Sequence, residues 1–281
     1  MVVSGTVPTE LGDKKIRDLL MQYAVPAIIA MTASSLYNMV DSIFIGHIKD
    51  VGSYAISGLA VTFPLMNIST ALGTLVGVGA STILSMLLGQ RNYHAANKVI
   101  INEVMLNVII GTLYTVITLV FLDPILMFFG ASANTLPYAR DYMVIILIGN
   151  VITHLYFGLN NIIRASGNPK LAMALTIFTV VSNTILDPIF IFWLDMGIKG
   201  AALATVICQL LALVYTVRYF LSGKNYLRLP RRMSEYRLDW RIAKDSLTIG
   251  MGPFLMNSAA CIVTMFINQQ LSKYGGDLAI G

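Results

Sequence analysis

Seven apolar segments constrain this chain more than any other feature. They run at roughly 19–44, 54–88, 98–122, 136–163, 171–193, 199–221 and 246–271. A membrane helix needs about 20 apolar residues to cross a bilayer, whereas a barrel strand needs only about 10. The segments therefore specify an all-α membrane protein. Several exceed the minimum length, so tilt or extension beyond the bilayer is expected. Composition agrees: 56% of residues are hydrophobic and 12% charged, where a soluble domain carries about 25% charged residues. Pro26, Pro64 and Pro188 fall inside segments, where each removes a backbone hydrogen bond and can kink a helix. Gly73 and Gly77 stand at the small-xxx-small spacing that permits close helix packing. Cys208 and Cys261 lie within apolar segments, fit no metal spacing and read as packing residues. The polar, mixed-charge N-terminus does not resemble a cleavable signal peptide.

The net charge of +5 follows membrane topology rather than nucleic-acid binding. Lys14, Lys15 and Arg17 precede the first segment; Arg91 and Lys98 follow the second; Arg164 and Lys170 follow the fourth. Arg218, Lys224, Arg228, Arg231, Arg232, Arg237, Arg241 and Lys244 cluster between the sixth and seventh. The other side has only Lys49, Arg140, Lys199 and Lys273. Cytoplasmic loops carry the excess of Lys and Arg, so a multi-pass protein of the cytoplasmic membrane with a cytoplasmic N-terminus is expected. The basic stretch could also meet anionic membrane lipids.

The seventh segment echoes the first. Aligning Pro26 on Pro253 places Asp41 on Asn268, and after a gap GSYAI at 52–56 meets GDLAI at 276–280. Repeated bundles are a common build of secondary transporters. The expected organisation is a six-helix N-terminal lobe over residues 1–222, a basic cytoplasmic linker over 223–245, and the first helix of a second lobe over 246–281. On this reading the chain is roughly the first 60% of a two-bundle protein whose C-terminal lobe is missing.

Two acids interrupt the apolar pattern: Asp41 in LYNMVDSIFIG and Asp187 in VSNTILDPIFIF. Each costs roughly 2.5–3.5 kcal/mol on membrane-insertion scales, so each needs a functional reason. Asn38 and Asn183 precede them by about one helical turn. Tyr37, Asn38 and Asp41 share a helix face, as do Thr176, Thr179, Asn183 and Asp187. Thr205 and Gln209 share a face of the sixth segment. The first and fifth segments run outward and the sixth returns, so the acids and Thr205 reach similar depth. Carboxylate, amide and hydroxyl oxygens suit a hard cation. Two close carboxylates also suit a proton, because full ionisation of such a pair is disfavoured. Sodium and protons are both open as ligands. His154 and Asn161 read as helix contacts or cavity lining, Glu103 as a residue of the cytoplasmic interface, and the many Met residues as packing.

The ordered motifs Pro26…Asp41-Ser-Ile-Phe-Ile-Gly46, Ala60-Val-Thr-Phe-Pro64, Arg164-Ala-Ser-Gly-Asn168, Asn183-Thr-Ile-Leu-Asp187-Pro188 and Gly197-Ile-Lys-Gly-Ala-Ala-Leu-Ala-Thr205 resemble a prokaryotic multidrug and toxic compound extrusion (MATE) transporter. The resemblance covers nearly the whole chain. It implies two six-helix lobes (6+6) around a V-shaped cavity, here the first lobe plus one helix of the second. It implies a non-enzymatic antiporter exporting small organic, often cationic, compounds against Na+ or H+, with no other cofactor. It implies a cation site at Asp41, Asn183, Asp187 and Thr205, the metal ligands if sodium is the ion, supported by Tyr37, Asn38 and Asn160. Pro26 is the expected hinge.

Two other readings use the same acids or the same fold. A lipid-linked oligosaccharide flippase would carry more basic residues in its cavity, whereas here Lys and Arg lie at the segment edges. An intramembrane aspartyl protease would show YD and GxGD, whereas the contexts here are VDS and LDP.

Overall fold

A computed structural model describes residues 15–48, 52–222, 226–230, 232 and 235–275. The chain forms α1 (Ile16–Gly46), α2 (Gly52–Gly89), α3 (Tyr93–Val120), α4 (Leu122–Phe128), α5 (Leu136–Ile148), α6 (Asn150–Ala165), α7 (Pro169–Pro188), a π-helical turn (Ile189–Trp193), α8 (Ile198–Leu221) and α9 (Trp240–Gly275). Six of these units are long and apolar enough to cross a membrane, and α5 with α6 makes a seventh. The protein is thus an all-α, multi-pass membrane protein. The fourth span is not one straight helix: α5 and α6 bend by 55° about Gly149, where a Cβ would come within 2.5 Å of the Val206 side chain. The last helix starts at Trp240, inside the stretch expected to be linker. The GDLAI motif and Lys14, Lys49, Lys224 and Arg231 lie outside the described residues.

The prolines explain two local features. Pro188 ends α7, and the chain widens into the π turn directly after it. Asp195 and Gly197 then adopt positive φ angles of 52° and 55°, which turns the chain back into α8. Pro64 inside α2 has no N–H for the carbonyl of Ala60 one turn earlier. Asn268 of α9 supplies the missing donor, its Nδ2 lying 3.2 Å from that oxygen. An aspartate at 268 would offer only acceptors there. The counterpart of Asp41 in the repeat therefore has a structural task that requires an amide.

Apolar side chains gather into two large clusters at opposite ends of the bundle and a small third one of Val76, Leu106 and Ala243. One includes Ile45, Leu59, Leu126, Tyr142, Leu147 and Ile191. The other includes Leu84, Ile100, Leu159, Ile163, Leu213 and Phe220. Between them runs a seam of polar residues on α2, α3 and α6: half-buried Ser69 with buried Glu103, Asn107, Asn150 and His154. Glu103 is therefore not the interface residue that its place near the start of the third span suggests. It is fully buried, because α6 presents Gly158 to it and a Cβ at that glycine would lie 1.7 Å from Glu103 Oε1. Gly73 and Gly77 face His154 and Asn161 of α6, so the small-residue spacing does mark a close helix contact. Cys208 and Cys261 are free and buried.

The alternating helices bring the basic connections to one end. At the other end Arg140 pairs with Asp123 (3.4 Å) and Lys199 with Asp141 (3.2 Å); exposed pairs of this kind contribute about 0–1 kcal/mol. The stretch before α9 is held against the start of α3. Asn97 Nδ2 donates to the Tyr226 carbonyl (3.3 Å), and its Oδ1 accepts from the Arg228 N–H (2.7 Å). Asn102 Oδ1 accepts from the Asp239 N–H (2.8 Å). Each such bond contributes about 1 kcal/mol, so Asn97→Ala is expected to open the linker roughly 5- to 30-fold more often. Limited trypsin digestion at Arg228 and Arg232 reads this as faster cleavage; an unchanged rate would mean that Asn97 does not hold the segment.

Candidate functional site

The site is assembled by α1, α7 and α8. Helices α1 and α7 pack along one another, and both run from the basic end toward the opposite end. Asp41 of α1 and Asp187 of α7 are both buried and close enough to interact electrostatically. The turn after Pro188 sends α8 back beside them. The Thr205 hydroxyl accepts from Asn183 Nδ2 (3.3 Å) and meets the Tyr37 hydroxyl (2.9 Å). Thr205 thus ties all three helices together.

The hydrogen-bond inventory at this junction is incomplete. Asp41 Oδ1, Asn183 Oδ1 and both oxygens of Asp187 are buried without a hydrogen-bond partner. Removing a carboxylate from water without a compensating partner costs several kcal/mol, and an orphaned amide oxygen costs about 1–3 kcal/mol. A bound cation, or a proton on one of the carboxylates, would supply a partner that these oxygens lack. Among the described residues no cluster of three or more His, Cys, Asp or Glu side chains is positioned for a metal. The donors here are instead two acids with amide and hydroxyl oxygens, which suits a hard monovalent ion rather than a soft transition metal.

Tyr37, Asp41, Asn183, Asp187 and Thr205 are brought together; other residues singled out in the sequence are not. Asn38 is exposed, because one residue of helix turns it by about 100° from Tyr37. Asn160 is buried, but its Nδ2 donates to the Ala172 carbonyl (3.1 Å). Ala172 lies fifteen residues before Asp187 on α7, about 22 Å along the helix at 1.5 Å per residue. Asn160 therefore fastens α6 to α7 near the basic end and does not reach the acids. Gln209 accepts from the Thr153 hydroxyl of α6. Thr179 lies 3.5 Å from the Tyr156 hydroxyl, one step removed from the acids. Pro26 is buried within α1, which continues as one helix through it.

One neighbour has no signal in the sequence. Tyr142 of α5 is fully buried and lies within electrostatic reach of Asp41, Tyr37 and Asp187. It stands in an apolar stretch, DYMVIILI, where a tyrosine is indistinguishable from core. Only the packing of α5 on α8 brings it to the acids.

Comparison with known proteins bears on the family and the fold. The family profile described as MatE matches residues 26–189. The multidrug export protein MepA of Staphylococcus aureus (strain MSSA476) is 30% identical over 256 residues, covering 91% of this chain and 56% of that protein. MepA of Staphylococcus haemolyticus is 32% identical over 263 residues, covering 94% of this chain and 57% of that protein. A solved structure of the MATE multidrug transporter DinF-BH in complex with a ligand superposes with a TM-score of 0.90 at 35% identity, covering 99% of this chain and 61% of that one. The chain thus spans somewhat over half the length of the relatives it matches. These relatives are named as exporters and transporters, not as enzymes. The chain, an all-α bundle with two buried acids between its first, fifth and sixth spans, belongs to the MatE family.

Proposed function

We propose that this chain is part of a cation-coupled multidrug antiporter of the cytoplasmic membrane. It would export small organic, often cationic, compounds in exchange for Na+ or H+. The observation that carries the reading is the pair of buried acids, Asp41 and Asp187, with carboxylate oxygens left unpartnered beside the Tyr37–Thr205–Asn183 chain. The MepA relatives, named for multidrug export, support the substrate class. The clustering of Lys and Arg at one end supports a cytoplasmic N-terminus.

In this reading the coupling ion is cargo. Asp41 and Asp187 supply the negative charge that holds it, and Asn183 and Thr205 supply neutral oxygens. Tyr37 ties α1 to α8 through Thr205. Occupancy draws α1, α7 and α8 together, with Pro26 as the place where α1 yields. Drug and ion favour different arrangements of the lobe, so each weakens the other; such differential affinity is what lets a ligand shift an equilibrium. The wider organisation follows the same reading: residues 1–222 form the first lobe, the stretch up to α9 the linker, and α9 opens a second lobe. The test is efflux of a fluorescent cationic dye from membrane vesicles holding the full two-lobe protein, under an imposed sodium gradient, an imposed pH gradient, or neither. Export that follows one of the gradients is expected, and export indifferent to both would contradict the reading.

A further inference from the structure

A second group of buried polar atoms lies apart from the acids on α1 and α7, at the contact of α3 with α6. Glu103 is fully buried. Its Oε1 accepts from Asn107 Nδ2 at 2.5 Å, one turn along the same helix. Its Oε2 and Asn107 Oδ1 are buried without partners. One turn from Gly158 on α6, His154 is also buried, and its ring faces Gly111, one turn beyond Asn107 on α3.

The tautomer of His154 follows from its neighbours. Asn150 Nδ2 donates to the Gly111 carbonyl (3.3 Å), which orients that amide. Ser69 spends its single hydrogen on Asn150 Oδ1 (2.5 Å). His154 Nε2, 3.0 Å from the same Ser69 oxygen, must then be the donor. Nδ1 is left as an acceptor, and it too is buried without a partner. The seam therefore holds three orphaned acceptors: Glu103 Oε2, Asn107 Oδ1 and His154 Nδ1. What it lacks is a donor.

A proton on the glutamate is the smallest addition that supplies one. A carboxylic acid and a primary amide are complementary, each giving one hydrogen and taking one. The amide half of that exchange is already made. An alkali cation fits less well, because two oxygens and a ring nitrogen fall short of the six or so ligands a hard ion gathers. We propose that Glu103, Asn107 and His154 form a second proton-binding site, independent of the Asp41/Asp187 site and nearer the basic end of the lobe.

The surroundings favour a proton over an ion pair. Gly158 faces the pair from α6, and His154, one turn away on that helix, is the titratable group next to it. From α2 the contact is Gly73 and Gly77, which bring no charge. The part of α9 nearest this level presents Ala243 and Ser246 to the bundle, and Lys98 on α3 lies in the cavity below. That cavity, of about 620 Å³, opens between the start of α3 and the linker and is lined by Lys98, Asn102, Glu235, Arg237 and Asp239. Asn102, one residue before Glu103, lines this cavity.

Infrared difference spectroscopy across pH on the purified chain tests the site. A carboxylic-acid C=O band is expected that survives in the Asp41→Asn/Asp187→Asn double variant and is lost in Glu103→Gln. Asn107→Ala keeps the carboxyl and removes its partner, so it is expected to shift the same band to higher frequency. It also serves if Glu103→Gln fails to fold. Spectra unchanged by Glu103→Gln, or a band unmoved by Asn107→Ala, would overturn the proposal and leave the Asp41/Asp187 reading untouched.

Discussion

On the proposed function, Asp187→Asn in the full two-lobe protein is expected to reduce gradient-driven drug efflux to the level of vesicles without transporter, with normal insertion and folding. The amide keeps the shape of the carboxylate and removes its charge. Neither oxygen of Asp187 makes a hydrogen bond of standard geometry, so no salt bridge is lost with the charge and Asn183 is the one neighbour whose weak interaction changes. Insertion becomes easier, since an aspartate inside a span costs roughly 2.5–3.5 kcal/mol. Asp41→Asn should have the same effect, and the double variant should be no worse than either single one, because in the proposed reading the two acids hold one ion together. If function resided in packing, the neutral variants would export at least as well as the native protein. Normal efflux in both single variants would sink the assignment.

The second large effect is steric. Helix α9 crosses α2 with backbone close to backbone. A Cβ at Gly250 would lie 1.8 Å from the Leu75 carbonyl oxygen, and one at Gly79 would lie 1.9 Å from the Ser246 carbonyl oxygen. Neither obstacle is a side chain that could swing aside, so the helices must separate. Overpacking of a well-packed contact costs typically 1–3 kcal/mol, and the backbone on both sides puts Gly250→Ala at about 3 kcal/mol. Cys261 reports the separation. It is buried on α9, its thiol 3.3 Å from the Pro64 carbonyl of α2. Alkylation of Cys261, followed by mass spectrometry of its peptide, should speed up at least tenfold in Gly250→Ala. Unchanged protection of Cys261 would show that the crossing can absorb a methyl group.

The spans were legible because nothing soluble carries seven such apolar runs, and the acid pair because charge inside a span has to be explained. Motif order carried the MatE resemblance. Features set by tertiary contact were not legible. Glu103 stands early in its span, and only the glycine opposite it on α6 shows that it is enclosed. Asn160 and Asn183 are both asparagines in apolar helices, yet one fastens α6 to α7 and the other joins the acids. Asn268 aligns with Asp41 in the repeat, and its separate task emerges only when α9 lies against the carbonyl freed by Pro64. The break at Gly149 and the early start of α9 at Trp240 escape hydropathy because apolar length does not register a bend, and the first turn of α9 is polar. Tyr142 belongs with these: its sequence neighbours are core, and its spatial neighbours are the acids.

The central claim is that the coupling ion binds between Asp41 and Asp187. Equilibrium binding of radiolabelled sodium to purified protein, with proton release recorded in the same titration, tests it most directly. Native protein is expected to bind a single ion at this site, with sodium and protons competing, or to take up protons alone if sodium is not the coupling ion. The Asp41→Asn/Asp187→Asn double variant should lose that ion. A double variant that binds sodium or protons with the affinity and stoichiometry of the native protein would contradict the account.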